Sequence, residues 1–230
     1  MSKLIQLFVL LLLVVSCKKE EVVTPKVRYE TTSKTDQKND VVTNGVLIAD
    51  LPIHFEGTST LLFPVGNVAP SQKGSQSFTI SNNSDFQITG YLKNIHFQEL
   101  QSDSIISLTN KSVLIETATY LKSIADKHKK QLMVYTLADT DTNKDQKVDE
   151  NDIQSLYISQ LSGKNFTKIS ADFMELIDWK IIDANARLYY KTIIDSNKNG
   201  QLDAADQVQY FYVDVLNEVW KSVQYVPLKQ

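Results

Sequence analysis

The sequence is poor in the residues that cross-link or interrupt small folds. Its 230 residues include one cysteine, Cys17, seven glycines and five prolines. A single cysteine excludes a disulfide framework within the chain, so its fold must depend on burial of apolar side chains. The three histidines, His54, His96 and His128, lie far apart and lack the spacing of metal ligands. Neither a Gly-x-Ser-x-Gly turn nor a glycine-rich phosphate loop occurs, which removes two common catalytic motifs.

An excess of charge of one sign is also missing. The chain has 24 Lys and Arg against 27 Asp and Glu, which gives a formal net charge of −3. Because nucleic-acid binding requires a basic face, we predict no nucleic-acid partner. After the first 17 residues there is no long apolar run, so we expect the body of the chain to be soluble.

Residues 1–16 have the features of a secretory signal peptide. Lys3 supplies a positive charge, and residues 4–15 form an apolar run too short for a transmembrane helix. The sequence Val14-Val15-Ser16-Cys17 resembles the lipobox of bacterial lipoproteins. That resemblance implies cleavage before Cys17, lipidation of this residue and attachment of the protein to a membrane.

Residues 17–44 are predicted to form a lipidated, disordered tether, because they are rich in Lys, Glu, Thr, Asp and Asn. The segment begins Cys17-Lys18-Lys19-Glu20-Glu21. A residue other than Asp after the cysteine resembles outer-membrane lipoproteins, and a basic residue before an acidic pair is similar to some surface-export signals. We therefore expect a lipid anchor in a bacterial outer membrane, on its periplasmic face or at the cell surface. Residues 45–230 are long enough for one folded domain.

Two acidic segments of twelve residues repeat each other 54 positions apart. Residues 141–152 read DTNKDQKVDEND, and residues 195–206 read DSNKNGQLDAAD. Side-chain oxygens occur at positions 1, 3, 5, 9 and 12, position 7 offers a backbone carbonyl, and position 8 is aliphatic. This spacing can surround Ca²⁺ with hard oxygen ligands. The candidate metal ligands are Asp141, Asn143, Asp145, Lys147, Asp149 and Asp152 in the first loop, and Asp195, Asn197, Asn199, Gln201, Asp203 and Asp206 in the second.

The spacing resembles the EF-hand calcium loop, and the aspartate at position 12 is similar to the dockerin variety. The resemblance implies Ca²⁺ as the cofactor. Gly200 occupies position 6 of the second loop, where the sharp turn favours a positive φ, but the first loop has Gln146 there. A first loop beginning at Asp139 would put Lys144 at the glycine position, and we reject that register. The alternative for both loops is an ordinary acidic turn.

Both loops lie within a longer repeat. At the offset of 54, Val134 aligns with Leu188 and Phe166 with Trp220. The segments that flank the second loop are dense in aromatic and β-branched residues, which favour strands. Each loop is therefore predicted to join two antiparallel strands. A third, loop-less copy is predicted at an offset of 61, where Ile95, Phe97, Leu100 and Ile105 match Leu156, Ile158, Leu161 and Phe166.

The predicted fold class is all-β, with four-stranded, antiparallel, blade-like repeats and calcium loops between strands. In the second copy, we predict strands at 175–182, 188–194, 208–215 and 219–226, with a turn at 183–186. Residues 162–165 mark the last turn of the first copy. The segment 155–169 resembles the outer hairpin of a blade in TolB-like β-propellers, which implies a small or incomplete propeller-like array. Residues 46–90 contain strand-like runs that do not align with the repeat.

These features predict a non-enzymatic interaction module with structural Ca²⁺, and a protein or a glycan as its partner. Aromatic residues at strand spacing are assigned to the core in preference to a binding platform. The alternative is an exported hydrolase whose site is assembled outside the repeats, for example from residues 46–90. The aromatic residues concerned are Trp179, Trp220, Tyr189, Tyr190 and Tyr210 to Tyr212.

Overall fold

A computed structural model describes residues 45–68 and 79–228. The predicted signal peptide, the tether and Cys17 therefore lie outside the described residues. Within the described ranges the chain forms fourteen strands and one helix of seven residues. None of the helical structure described there is long and apolar enough to cross a membrane.

The strands form two antiparallel sheets, and neither sheet closes on itself. The first has ten strands, with the order β1-β3-β5-β7-β8-β9-β10, while β2 pairs with β3, and β4 and β6 pair with β5. The second has the order β11-β12-β13-β14. The elements are β1 Val46–Ala49, β2 Ile53–His54, β3 Thr60–Val68, β4 Ser81–Ser84, β5 Gln87–Glu99, β6 Ile105–Ser107, β7 Leu114–Tyr120, α1 Lys122–His128, β8 Leu132–Ala138, β9 Gln154–Gln160, β10 Thr167–Lys168, β11 Met174–Ile182, β12 Arg187–Ile194, β13 Gln207–Asp214 and β14 Val223–Tyr225.

Strand β8 is buried on both of its faces. All seven of its side chains are buried, as expected for a strand that is covered on two sides. Met133, Tyr135 and Leu137 point into a first apolar core, which is lined by β3, β5 and β7. Leu132 and Val134 point into a second core on the other side. The strand therefore separates two cores while it pairs with β7 and β9.

The second core holds the second sheet against β8, β9 and α1. It includes Ile124 of α1, Leu156 and Ile158 of β9, and Leu188 and Val213 of the second sheet. Because side chains alternate along a strand, the opposite face of the second sheet carries another set of residues. That face holds four half-buried tyrosines whose ring centroids lie about 6 Å from their neighbours, Tyr189, Tyr210, Tyr212 and Tyr225.

The second copy of the repeat forms the four-stranded sheet predicted for it. Strands β11, β12 and β13 begin and end within one residue of the predicted bounds, and the predicted turn at 183–186 joins β11 to β12. Strand β14 is shorter than predicted, because residues 219–222 precede it as irregular chain. The all-β class and the antiparallel pairing are thus confirmed.

The first copy differs from the expected independent blade. Its strands β8 to β10 belong to the ten-stranded sheet, because β8 pairs with β7 and β7 pairs in turn with β5. At the offset of 54, the predicted strand 175–182 corresponds to residues 121–128, and this expected strand is wrong because Lys122–His128 form α1. The described residues therefore form two open sheets, and they do not show the expected propeller-like array of blades.

The third, loop-less copy is present as a hairpin of matching register. Phe97 of β5 pairs with Ile106 of β6, and Ile158 of β9 pairs with Thr167 of β10. Both members of the second pair lie 61 positions after those of the first. Where the other copies carry a twelve-residue loop, Asp85 and Phe86 form a tight turn between β4 and β5.

Candidate metal sites

Each acidic loop closes an antiparallel hairpin. The first loop connects β8 to β9, whose residues Ala138 and Gln154 pair at its base. The second connects β12 to β13, whose residues Ile194 and Gln207 pair in the same way. The prediction that strands, and not helices, flank the loops is therefore confirmed. The paired strands fix the two ends of each loop, so the loop residues between them must turn back within a short span.

The first loop folds around the side chains at its positions 1, 3 and 5. The carboxylate of Asp141 accepts hydrogen bonds from the backbone amides of Asp145 (3.1 Å) and Gln146 (2.8 Å). The side-chain oxygen of Asn143 also accepts from the Asp145 amide, at 2.9 Å. The carboxylate of Asp145 accepts in turn from the amide of Lys147, at 2.9 Å.

The second loop repeats this network with different residues. The carboxylate of Asp195 accepts from the amides of Asn199 (3.1 Å) and Gly200 (2.8 Å). The side-chain oxygen of Asn197 accepts from the Asn199 amide at 2.8 Å, and that of Asn199 accepts from the Gln201 amide at 2.7 Å. Every one of these bonds has its counterpart in the first loop.

The aspartate at position 12 ties the end of each loop to its beginning. Asp152, which is fully buried, accepts from the amides of Thr142 at position 2 (2.7 Å) and Asp149 at position 9 (3.0 Å). Asp206 accepts from the corresponding amides of the second loop at 2.9 and 3.0 Å. This double contact gathers positions 1 to 12 into a closed turn.

The backbone of the two loops is also the same at its two unusual positions. Position 4 has a positive φ in both, 61° at Lys144 and 58° at Lys198. Position 6 has φ of 73° at Gln146 and 81° at Gly200. The first loop therefore adopts the left-handed conformation that suits glycine, although its side chain at that position is glutamine.

The chemistry of these side chains suits a hard cation. A carboxylate has about four lone-pair sites, so an oxygen that accepts from an amide can also bind a metal ion. The loops offer carboxylate, amide and backbone carbonyl oxygens, which are the ligands preferred by Ca²⁺. Within residues 45–68 and 79–228, no three His, Cys, Asp or Glu side chains lie close enough to hold a metal by themselves. A bound cation would thus also require Asn143, Asn197 and Asn199 and the carbonyls of Lys147 and Gln201.

A polar cluster that the sequence did not reveal adjoins the first loop. The carboxylate of Asp139 accepts hydrogen bonds from Ser155 (3.2 Å), Tyr157 (2.6 Å) and the ammonium of Lys168 (2.8 Å), beside a cavity of about 110 Å³. Burial acts to raise the pKa of Asp139, but the bonds from Lys168 and Tyr157 outweigh it and lower that pKa. The carboxylate of Asp139 is thus occupied by hydrogen bonds from residues of β9 and β10. This agrees with a metal-binding loop that begins at Asp141 and not at Asp139.

The histidines occupy separate parts of the fold. They lie on β2, on β5 and at the end of α1, and Nε2 of His54 lies 2.8 Å from the carbonyl oxygen of Thr58. The aromatic residues divide between the two faces of the second sheet. Tyr190 is buried and stacks on Phe211, while Trp179 and Trp220 pack against the second core, as predicted. The outward positions of Tyr189, Tyr210 and Tyr212 depart from that prediction, because the pleat turns alternate residues away from the core.

Comparisons with known proteins do not assign the chain to a class. No protein-family model, curated protein or solved structure matches it. The geometry of the two loops is therefore the basis on which a function is proposed.

Proposed function

We propose that this chain is a calcium-binding lipoprotein that acts as a non-enzymatic interaction module with structural Ca²⁺. One observation carries the proposal: two loops that differ at seven of their twelve positions share the same hydrogen bonds, the same two positive-φ positions and side-chain oxygens at the same five positions. An ordinary acidic turn needs only one or two such contacts. A repeated, complete network is typical of a loop shaped to present its oxygens to an ion.

Calcium would act on the stability of the hairpins. The first loop contributes four carboxylates, Asp141, Asp145, Asp149 and Asp152, and the second contributes three. These like charges repel one another at short range, and a divalent cation removes that repulsion. Because each loop closes a hairpin, the ion holds together strands β8 and β9 at one site and β12 and β13 at the other. Mg²⁺ fits less well, since it demands a smaller octahedral shell.

The remaining parts of the proposal concern attachment and partners. Lipidation of Cys17 anchors the protein to an outer membrane, and residues 17–44 separate the anchor from the sheets. The blade-like second copy presents surfaces for a protein or glycan partner. The proposal draws its support here from the N-terminal sequence pattern and from the outer face of the second sheet, which carries the four half-buried tyrosines.

The test of the calcium proposal is binding together with thermal unfolding. Wild type, Asp141→Ala and Asp195→Ala are melted in calcium and in chelator, and calcium binding is titrated by calorimetry. Ligand binding to the folded state alone stabilises it by about 2.7 kcal/mol per site at a hundredfold excess over the dissociation constant. We expect two sites whose affinities lie within about tenfold of each other, because additional charge favours the first loop and Gly200 favours the second. Each variant should lose one site.

Asp103→Ala is the matched control, because Asp103 is an exposed aspartate outside both loops. It should keep both sites and the full shift in melting temperature. If calcium leaves the wild-type melting temperature unchanged and calorimetry detects no binding, the loops are acidic turns and the proposal fails.

A further inference from the structure

A cleft of about 620 Å³ lies at the end of the strands opposite the acidic loops. Its walls come from the residues before β8, the turn after β9, the start of β3 with the end of β5, and the segment after β13. The first acidic loop follows the end of β8, and the second precedes the start of β13, so both lie away from this cleft. Its volume is within the range of small-molecule binding sites.

The cleft is lined by two lysines and two glutamates, and most of these charged groups already form hydrogen bonds within the protein. The ammonium of Lys130 donates to the backbone carbonyls of residues 215, 216 and 217, at 3.3, 2.6 and 3.0 Å. The ammonium of Lys129 donates to a carbonyl of α1 at 2.9 Å. The carboxylate of Glu99 accepts from the hydroxyls of Ser59 (2.9 Å) and Thr60 (3.1 Å). An anionic ligand would therefore have to compete with the contacts that the two lysines already make.

The neutral polar groups of the cleft are, by contrast, available. Four side-chain amides line it, those of Gln131, Gln160, Asn165 and Asn217. None of these amides is hydrogen-bonded to another residue in the described parts of the chain. Each amide offers donors and an acceptor, and a sugar hydroxyl likewise both donates and accepts. A ligand with several neighbouring hydroxyls matches this set of groups.

The apolar part of the cleft is a single accessible aromatic ring. Leu132 and Leu161 are only 1% and 2% exposed, whereas Trp220 is partly exposed. The indole nitrogen of Trp220 donates to the carbonyl of Val215 at 3.3 Å, so the ring is held in place. The electron-rich face of an aromatic ring attracts the weakly positive C–H groups of a sugar ring. One ring gives too little apolar area for a lipid or an apolar peptide.

We propose that this cleft binds a neutral saccharide, with a sugar ring against Trp220 and its hydroxyls hydrogen-bonded to the surrounding amides. This inference rests on the proposed function, because it names the ligand class and the position of the binding site of the interaction module. The acidic loops contribute no lining residue to the cleft, so saccharide binding and calcium binding are measured separately.

The test uses the fact that the chain has only two tryptophans. Trp179→Phe leaves Trp220 as the sole indole reporter, and its fluorescence is followed in the full chain with calcium present. The probes are the neutral oligosaccharides maltohexaose, xylohexaose, mannohexaose and fully N-acetylated chitohexaose, each titrated to about 10 mM, ten times the dissociation constant of a weak ligand. We expect a saturable change with at least one of them.

Amide variants in the Trp179→Phe background then test the position of the site. Asn165→Ala and Gln131→Ala should each raise the dissociation constant by roughly five- to tenfold, because each removes a hydrogen bond to the ligand. Gln224→Ala is the matched control: Gln224 is an exposed amide on β14, outside the cleft, and its loss should change nothing. All three replaced side chains are exposed, so the variants should fold.

Two results would overturn the saccharide proposal. One is the absence of a saturable response to all four probes in protein that shows the calcium-dependent rise in melting temperature. The other is a response that the cleft variants and Gln224→Ala leave equally unchanged. Loss of the calcium effect with saccharide binding retained would instead contradict the calcium proposal and leave the cleft assignment intact.

Discussion

At the scale of the residue, the first acidic loop holds a glutamine where the backbone favours glycine. Gln146 has φ of 73°, close to the 81° of Gly200 in the second loop. A non-glycine residue pays about 1–2 kcal/mol in the left-handed region, because its Cβ approaches the following carbonyl oxygen. The two loops thus provide the same turn with and without that strain.

Exchange of the two residues should therefore have opposite effects. In urea unfolding with chelator present, Gln146→Gly should raise the free energy of unfolding by roughly 0.5–1 kcal/mol, because relief of strain exceeds the greater freedom of glycine in the unfolded chain. Gly200→Gln should lower it by about 1 kcal/mol. The double variant should be nearly neutral, since distant sites add. Effects of the same sign in the two loops would contradict a shared left-handed position.

At the scale of the element, a half-buried carboxyl joins the second sheet to the first. Glu175 of β11 accepts a hydrogen bond from the backbone amide of Gln154, the first residue of β9, at 2.7 Å. Burial, with a smaller contribution from the nearby carboxylate of Glu116, raises the pKa of Glu175 to about 7 despite this bond. The folded protein therefore holds the Glu175 proton more tightly than the unfolded chain does.

The raised pKa of Glu175 should make stability fall as pH rises. A raised pKa in the folded state contributes stability that is complete below the ordinary value of 4.5 and is lost as pH rises through about 7. Between pH 5 and pH 8, wild type should lose up to about 3 kcal/mol of unfolding free energy relative to Glu175→Gln. Chemical unfolding at both pH values, with chelator present, measures the difference. Parallel pH dependence of wild type and variant would show that Glu175 titrates normally.

The strands and the loops were predictable from the sequence to different degrees. Strands β11 to β13 were placed within a residue, because their aromatic and β-branched residues are dense and turns bound them. The sequence does not predict helix α1, because the repeat implies a strand at residues 121–128 and the seven helical residues form too brief a periodic pattern. The merging of β7 to β10 into a ten-stranded sheet depends on pairing between β5 and β7, which no local pattern encodes.

The candidate sites also differ in how far the sequence predicts them. The ring of oxygen side chains could be predicted because its ligands are close in sequence, at fixed positions of a twelve-residue loop. The cluster around Asp139 and the cleft beside Trp220 could not, because each gathers side chains from segments far apart in the chain. Exposed glutamine and asparagine carry no sequence signal of their own.

At the scale of the whole molecule, the two proposed binding sites lie at different ends of the strands that carry them. The acidic loops lie at one end of their strands, and the cleft lies at the other. The chain enters the first sheet at β1, an edge strand paired only with β3. A lipid anchor before residue 45 would therefore hold the protein by the edge of a sheet.

The anchor is tested by replacement of its single cysteine. In a Gram-negative host, Cys17→Ala should abolish incorporation of labelled fatty acid and move the protein from the membrane to the soluble fraction, because acyl chains supply the membrane affinity. Lys19→Ala, two residues away, should remain labelled and membrane-bound. A wild type that takes up no fatty acid, together with a Cys17→Ala variant that still sediments with membranes, would refute lipidation.

The double burial of β8 has a consequence for how this sequence can change over generations. An ordinary strand offers every second side chain to solvent, where substitutions alter stability by about 0.5 kcal/mol or less. Strand β8 has no such side chain, because Leu132 to Ala138 are all enclosed. Replacements there must conserve volume in one core or the other, and a large-to-small change costs about 2–5 kcal/mol. Substitutions in relatives of this protein should therefore spare these seven positions.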